Sequence, residues 1–182
     1  MIFNVSGLLS GSLGESQQHE IENEQLTVAD RLLTHINGPI YLIRTDRTVI
    51  LDADITAVTQ ETCSRCLEAA PVNIRVKMDE EFYPLNMDLM DHIDSNDQDN
   101  DYYYDPALII DKRNVLDLTE GLGQALVAAM PIAPLCKDEC LGICTICAAN
   151  RNLIDCSCPQ SRSDMRWKSL DKLLDIGAES AG

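Results

Sequence analysis

The chain has 182 residues, of which 45% are hydrophobic and 24% charged, which suits one compact domain or a domain with a small appendage and excludes wholesale disorder or two full-sized domains. Acids outnumber bases 30 to 14, for a formal charge of −16. A phosphate backbone or an anionic membrane surface demands the opposite sign, so a basic partner is expected instead.

In chain order, residues 1–9 and 20–28 carry short apolar stretches separated by Gly7, Gly11 and Gly14, which predicts strands joined by turns rather than a helix. Residues 40–58 read as a β-hairpin, with Ile40-Tyr41-Leu42-Ile43 and Val49-Ile50-Leu51 on either side of a polar Arg44-Thr45-Asp46-Arg47 break. Val72, Ile74, Val76 and Met78 alternate strictly with polar residues, the pattern of a half-buried strand. Ten acids and no Lys or Arg fall between Asp79 and Asp105. Such a run repels itself and predicts a solvated loop in its central part, whose Asp94, Asp97, Asp99 and Asp101 are candidate contacts for a basic partner. Asp94-Ser95-Asn96-Asp97-Gln98-Asp99 offers oxygen ligands but lacks the central Gly and final Glu of an EF-hand loop.

Asp117 reads as the N-cap of a helix over 118–130, with Leu118, Leu122, Ala125, Leu126 and Ala129 on one face and Pro131 as its stop. A second amphipathic helix is expected after Ser163, carrying Trp167, Leu170, Leu173 and Leu174. The fold class is then α+β: an antiparallel β domain with a packed helix over 1–130, and a small Cys-rich, zinc-bound lobe over 131–182.

The apolar stretches are far shorter than the ~20 residues needed to cross a bilayer. The opening Met1-Ile2-Phe3-Asn4-Val5 has neither the basic nor the apolar region of a secretory signal. A cytoplasmic location is expected, where eight cysteines are not expected to form disulfides. Six of them lie close together as Cys136, Cys140, Cys144, Cys147, Cys156 and Cys158, and the other two form Cys63-Ser64-Arg65-Cys66. A C-x2-C turn lets two thiolates converge on one ion while backbone N–H groups brace them, and zinc takes four thiolates in a tetrahedron. The favoured division gives Cys144, Cys147, Cys156 and Cys158 a local site, and Cys63, Cys66, Cys136 and Cys140 a long-range one that staples the β region to the segment leaving the helix. Exchanging Cys136 and Cys140 with Cys156 and Cys158 is the rival, so one or two zinc ions are expected.

Catalytic chemistry finds little support. Cys140-x3-Cys144-x2-Cys147 has the spacing of a radical-type iron–sulfur site, but too few residues follow it for the barrel such enzymes build. Cys63 and Cys66 precede a strand rather than opening a helix, which argues against a redox dithiol. His19, His35 and His92 are scattered, and no nucleophile elbow or phosphate loop is present. No enzyme and no small-molecule substrate are expected.

The stretch Met130-Pro131-Ile132-Ala133-Pro134-Leu135-Cys136, with Cys140-Leu141-Gly142-Ile143-Cys144-Thr145-Ile146-Cys147, Asn150-Arg151-Asn152 and Cys156-Ser157-Cys158, resembles the YceD-like family of large ribosomal RNA subunit accumulation proteins. Cys63-Ser64-Arg65-Cys66-Leu67, followed by a strand and Glu81-Phe82, is similar to that family's other hallmark. Thr145, Ala148, Arg151 and Met165 depart from the family's usual Pro, Gly, Leu and Pro. Because Ala148 resists positive φ, a looser knuckle turn is expected.

The resemblance implies a role in the synthesis, processing or stability of large-subunit ribosomal RNA. With the acidic composition, this points to a zinc-stabilised adaptor for a basic ribosomal protein or assembly factor that touches rRNA indirectly. The alternative is direct rRNA binding through a basic face at 151–172, with Arg151, Arg162, Arg166 and Lys168 on phosphates and Trp167 stacking. A thiol redox switch is a third possibility.

Overall fold

Alternation of buried and exposed side chains organises the molecule, because successive strand residues point to opposite faces. The structure is a computed structural model that describes residues 1–85 and 105–159. Its elements are β1 (Ile2–Asn4), α1 (Ser6–Ser10), β2 (Ser16–Val28), β3 (Arg31–Arg44), β4 (Val49–Thr62), β5 (Ala69–Pro84), a 3-10 turn (Pro106–Leu108), β6 (Ile109–Ile110), β7 (Val115–Asp117) and α2 (Thr119–Ala128). The strands β2-β3-β4-β5-β6 form one sheet, antiparallel except for the parallel β5/β6 pair, and β1 pairs with β7 in a second, two-stranded sheet. This is the α+β class expected, with the antiparallel sheet and packed helix in place.

One face of the large sheet is the core. In β4 the buried positions are Val49, Leu51, Ala53, Ile55 and Ala57; β3 adds Leu33, Ile36, Ile40 and Leu42, and β5 adds Val72, Ile74, Met78 and Phe82. Leu8 of α1, with Leu122 and Leu126 of α2 and Leu118 just before it, joins the same cluster. Each of the larger of these side chains withdrawn from water contributes about 1.5–3 kcal/mol. The close approach of α2 to the sheet depends on Gly123, whose Cβ would lie 2.6 Å from Val28 Cγ2. Asp117 Oδ1 accepts the Thr119 N–H at 2.9 Å, holding the first turn of α2.

Two distortions shape β2 and β3. Their two-residue turn puts Ala29 and Asp30 at φ +48° and +61°, both positive as in a type I′ hairpin turn. Midway along the pair, Asn23 and His35 each adopt φ +50°, and the pairing register shifts there on both strands. The bulge is closed by polar side chains: His35 Nδ1 lies 2.8 Å from Asn23 Oδ1, and the Asn23 N–H donates to Asn37 Oδ1 at 2.7 Å.

Three sequence expectations need correction. Residues 6–10 form α1 rather than continuing a strand, since a helix of five residues is too short to show a periodicity. The second strand begins at Ser16, and through its bulge it carries no clean alternation. The residue capping α2 is Leu118 rather than Asp117. Of the acidic run, Asp79, Glu80 and Glu81 lie within β5 and Asp105 accepts the Ala107 N–H at the 3-10 turn, while its central part lies outside the described residues.

The chain divides into two units, Met1–Ser64 with Glu68–Asp138, and Arg65–Leu67 with Glu139–Gly182. The second has little regular structure among its described residues; turns and one isolated bridge, Ile143 with Asn150, organise it. Among the described residues no helix is long and apolar enough to cross a membrane.

Candidate metal centre

The eight thiols fall into two groups of four. The sulfurs of Cys63, Cys66, Cys136 and Cys140 all lie within 4.8 Å of one another, and so do those of Cys144, Cys147, Cys156 and Cys158. Four thiolates around a zinc at ~2.3 Å stand roughly 3.8 Å apart, so either group could close on an ion with small side-chain adjustments. These are the sets that spacing favours, not the exchanged ones. In the first group Cys63, Cys66 and Cys140 are buried and Cys136 is half-buried; in the second Cys144 is buried, Cys156 and Cys158 are half-buried, and Cys147 is exposed.

Local backbone geometry presents these sulfurs. Cys63 and Cys66 occupy the loop between β4 and β5, whose flanking residues Thr62 and Ala69 pair directly. The Cys63 N–H donates to the Glu68 carbonyl at 2.8 Å, and Leu67 takes φ +62°. Cys144 repeats the arrangement: its N–H donates to the Ala149 carbonyl at 2.8 Å, and Ala148 takes φ +58°. Each C-x2-C pair is therefore a tight knuckle closed five residues on, with the residue after the second cysteine left-handed. The looser turn expected from Ala148 is not found; the alanine accepts the strained conformation, and its N–H donates to the Cys144 carbonyl at 2.9 Å.

Donors surround the sulfurs. The Ile146 N–H points at Cys144 Sγ at 3.5 Å, and Asn152 Nδ2 donates to Cys140 Sγ at 3.3 Å. Such N–H···S contacts stabilise thiolates and orient them, as the outer shell of a metal site does. Asn152 also accepts the Leu141 N–H at 3.0 Å through Oδ1, and its amide is held by Asn150 Oδ1 at 2.9 Å. Arg65 Nη1 donates to the Cys140 carbonyl and the Arg65 carbonyl accepts the Ile143 N–H, both at 3.0 Å. Gly142, at φ +71°, allows that approach, since a Cβ there would meet the Arg65 carbonyl at 3.0 Å. Asn152, Gly142 and Arg65 were not singled out as site residues from sequence, although all three lie within the stretches that carry the family resemblance.

The N–H groups of Cys147 and Ile146, and then the Cys156 thiol, hold the Cys144 thiol down to about 6. Its partners move the other way: hydrogen bonding to Cys147 and burial push Cys158 up to about 12, and the bond to Cys144 raises Cys156. A compact group of this kind shares protons among its sulfurs, and a dication entering it expels them. The chemistry offered is soft, all-sulfur coordination with no position kept open by design, which suits structural zinc.

Of the other site residues expected from sequence, Arg151 is half-buried beside the second knuckle, its N–H bonded to the Gly142 carbonyl at 2.9 Å. Asp94, Asp97, Asp99 and Asp101, the alternative RNA contacts Arg162, Arg166, Trp167 and Lys168, and the helix expected after Ser163 lie outside the described residues.

Fold and site together define an α+β protein whose cysteines gather into two groups that could each hold a metal ion. The family model for Large ribosomal RNA subunit accumulation protein YceD matches residues 51–174, more than half of the chain, and the chain belongs to that family. It is also similar to Uncharacterized protein ML1660 of Mycobacterium leprae (strain TN), with 24% identity over 140 residues. That alignment covers 76% of this chain and 59% of the relative's length. No solved structure matches the chain.

Proposed function

We propose that this protein supports the accumulation of large-subunit ribosomal RNA without catalysing a reaction, as a zinc-stabilised acidic adaptor that holds a basic ribosomal protein or assembly factor. Family membership supplies the ribosomal role. The observation that carries the rest is the pair of matched four-thiolate groups in a chain of net charge −16. Cys63, Cys66, Cys136 and Cys140 would hold one ion and Cys144, Cys147, Cys156 and Cys158 the other; bound zinc would supply cross-linking of loops that have little core of their own. The first ion would tie the β4–β5 loop to the segment leaving α2.

Eight thiolates against two dications add four negative charges, which makes a direct grip on phosphates harder and attraction of a basic protein stronger. The test is complementation of a cell lacking the protein, read as the ratio of large- to small-subunit rRNA. The intact chain is expected to restore the ratio and a Cys63→Ser/Cys144→Ser chain to fail. Full rescue by a chain unable to bind zinc contradicts the reading, and so does an intact chain that binds rRNA fragments with a steep salt dependence.

A further inference from the structure

The solvent side of the large sheet carries residue rows that run straight across the strands. One row is Gln18, Tyr41, Asp52 and Asp79, and the next is Ser16, Ile43, Ile50 and Glu81. Tyr41, Ile43 and Ile50 are 40%, 37% and 38% exposed, so three large apolar side chains lie side by side at the surface with carboxylates at one edge.

Asp52 and Asp79 stand directly opposite each other on β4 and β5, a like-charge pairing that works against the sheet. Among the described residues no ion pair reaches either one. Two residues further along the same face, the charges are matched: Asp54 faces Lys77 across the strands and accepts two hydrogen bonds from Arg75, at 2.8 and 2.6 Å. The sheet thus pairs its acid at Asp54 and leaves Asp52 and Asp79 without an ion pair where the apolar strip begins, with Lys77 their nearest same-face cation along the strands.

We propose that this strip docks a basic, amphipathic segment of a partner protein, with its Lys or Arg side chains on Asp52, Asp79 and Glu81 and its apolar side chains over Tyr41, Ile43 and Ile50. Charge complementarity selects the occupant: the strip offers no cation of its own, and a partner's cations relieve a repulsion already built into the sheet. The inference rests on the adaptor reading and gives it a surface.

The experiment titrates the full zinc-loaded chain against a fluorescent synthetic peptide alternating lysine and leucine, with its glutamate–leucine counterpart as control. Asp52→Asn/Asp79→Asn is expected to weaken binding at least tenfold without lowering the thermal midpoint, since it removes a repulsion. Ile50→Ser is expected to weaken it severalfold, whereas Glu24→Gln/Asp30→Asn, an equal loss of charge at the bulge of β2 and the β2–β3 turn, changes it less than twofold. Equal weakening by both acidic pairs, or no binding by the unaltered chain, overturns the docking face. Neither result touches the adaptor reading, which is decided separately by the rRNA ratio.

Discussion

Leu67 and Ala148 share one backbone conformation. Each directly follows the second cysteine of a C-x2-C pair, and their φ angles of +62° and +58° differ by less than the scatter within any regular element. Neither is glycine, so both pay the cost of bringing a Cβ into the left-handed region, about 1–2 kcal/mol. Two knuckles far apart in sequence thus converge on the same strained turn, each with its first cysteine N–H bonded five residues on and each supplying two sulfurs to a different four-cysteine group.

Ala148→Gly follows directly. Relief of the left-handed strain, less the extra freedom glycine gains in the unfolded chain, is expected to stabilise the zinc-loaded protein by about 0.5–1 kcal/mol. Ala148→Val, β-branched, is expected to destabilise it by more. Thermal midpoints under matched zinc concentrations check both.

Gly38 tests the bulged half of the sheet. It sits at φ +149°, and a Cβ there would lie 2.2 Å from the Asp54 carbonyl oxygen, a backbone atom that cannot swing away. Gly38→Ala is expected to cost about 3 kcal/mol from overpacking and backbone strain combined, measured as a fall in the urea midpoint. Gly121→Ala, at a position with nothing within 4 Å, is the control and is expected to be neutral or slightly stabilising.

Asp117 gives the pH dependence. Its carboxylate is held below the ordinary aspartate value of 3.8 by its hydrogen bonds with Thr119, side chain and backbone, and by the chain's amino terminus nearby. A carboxylate with a depressed pKa contributes stability that is full above the ordinary value and is lost as the pH falls through the lower one. The difference in stability between the unaltered chain and Asp117→Asn, which keeps an acceptor for the Thr119 N–H but not the charge, is therefore expected to be constant above about pH 5 and to shrink below pH 4.

Much of this fold is legible in the sequence where one face is buried and the strand is regular. The alternation of Val72, Ile74, Val76 and Met78 places them on one side of β5, and the break at 44–47 locates the β3–β4 turn. The N-terminal third is less legible. Strand β2 has Ile21 as its one buried residue and reads as a polar stretch with a bulge at Asn23, and α1 has Leu8 as its one buried residue. In β5 the strand continues through Asp79-Glu80-Glu81 because Phe82 returns it to the core, a long-range effect that charge counting along the chain cannot see. Spacing favours the observed grouping of the thiols without deciding against the exchange; the braces contributed by Asn152, Arg65 and Gly142 depend on tertiary contacts that no local pattern announces.

The two thiol groups are expected to be separable. Cys63→Ser is expected to remove one equivalent of zinc and Cys144→Ser one equivalent, leaving the other group loaded. Loss of both ions from either single change would contradict two independent sites.

The central claim is that each four-cysteine group holds a zinc ion, and the most direct measurement is elemental analysis of the full chain, purified without a metal-binding tag, together with a count of reactive thiols. The account expects two zincs per chain and few thiols reactive until a chelator is added. No metal with eight titratable thiols would contradict it and would favour a redox role for the cysteines.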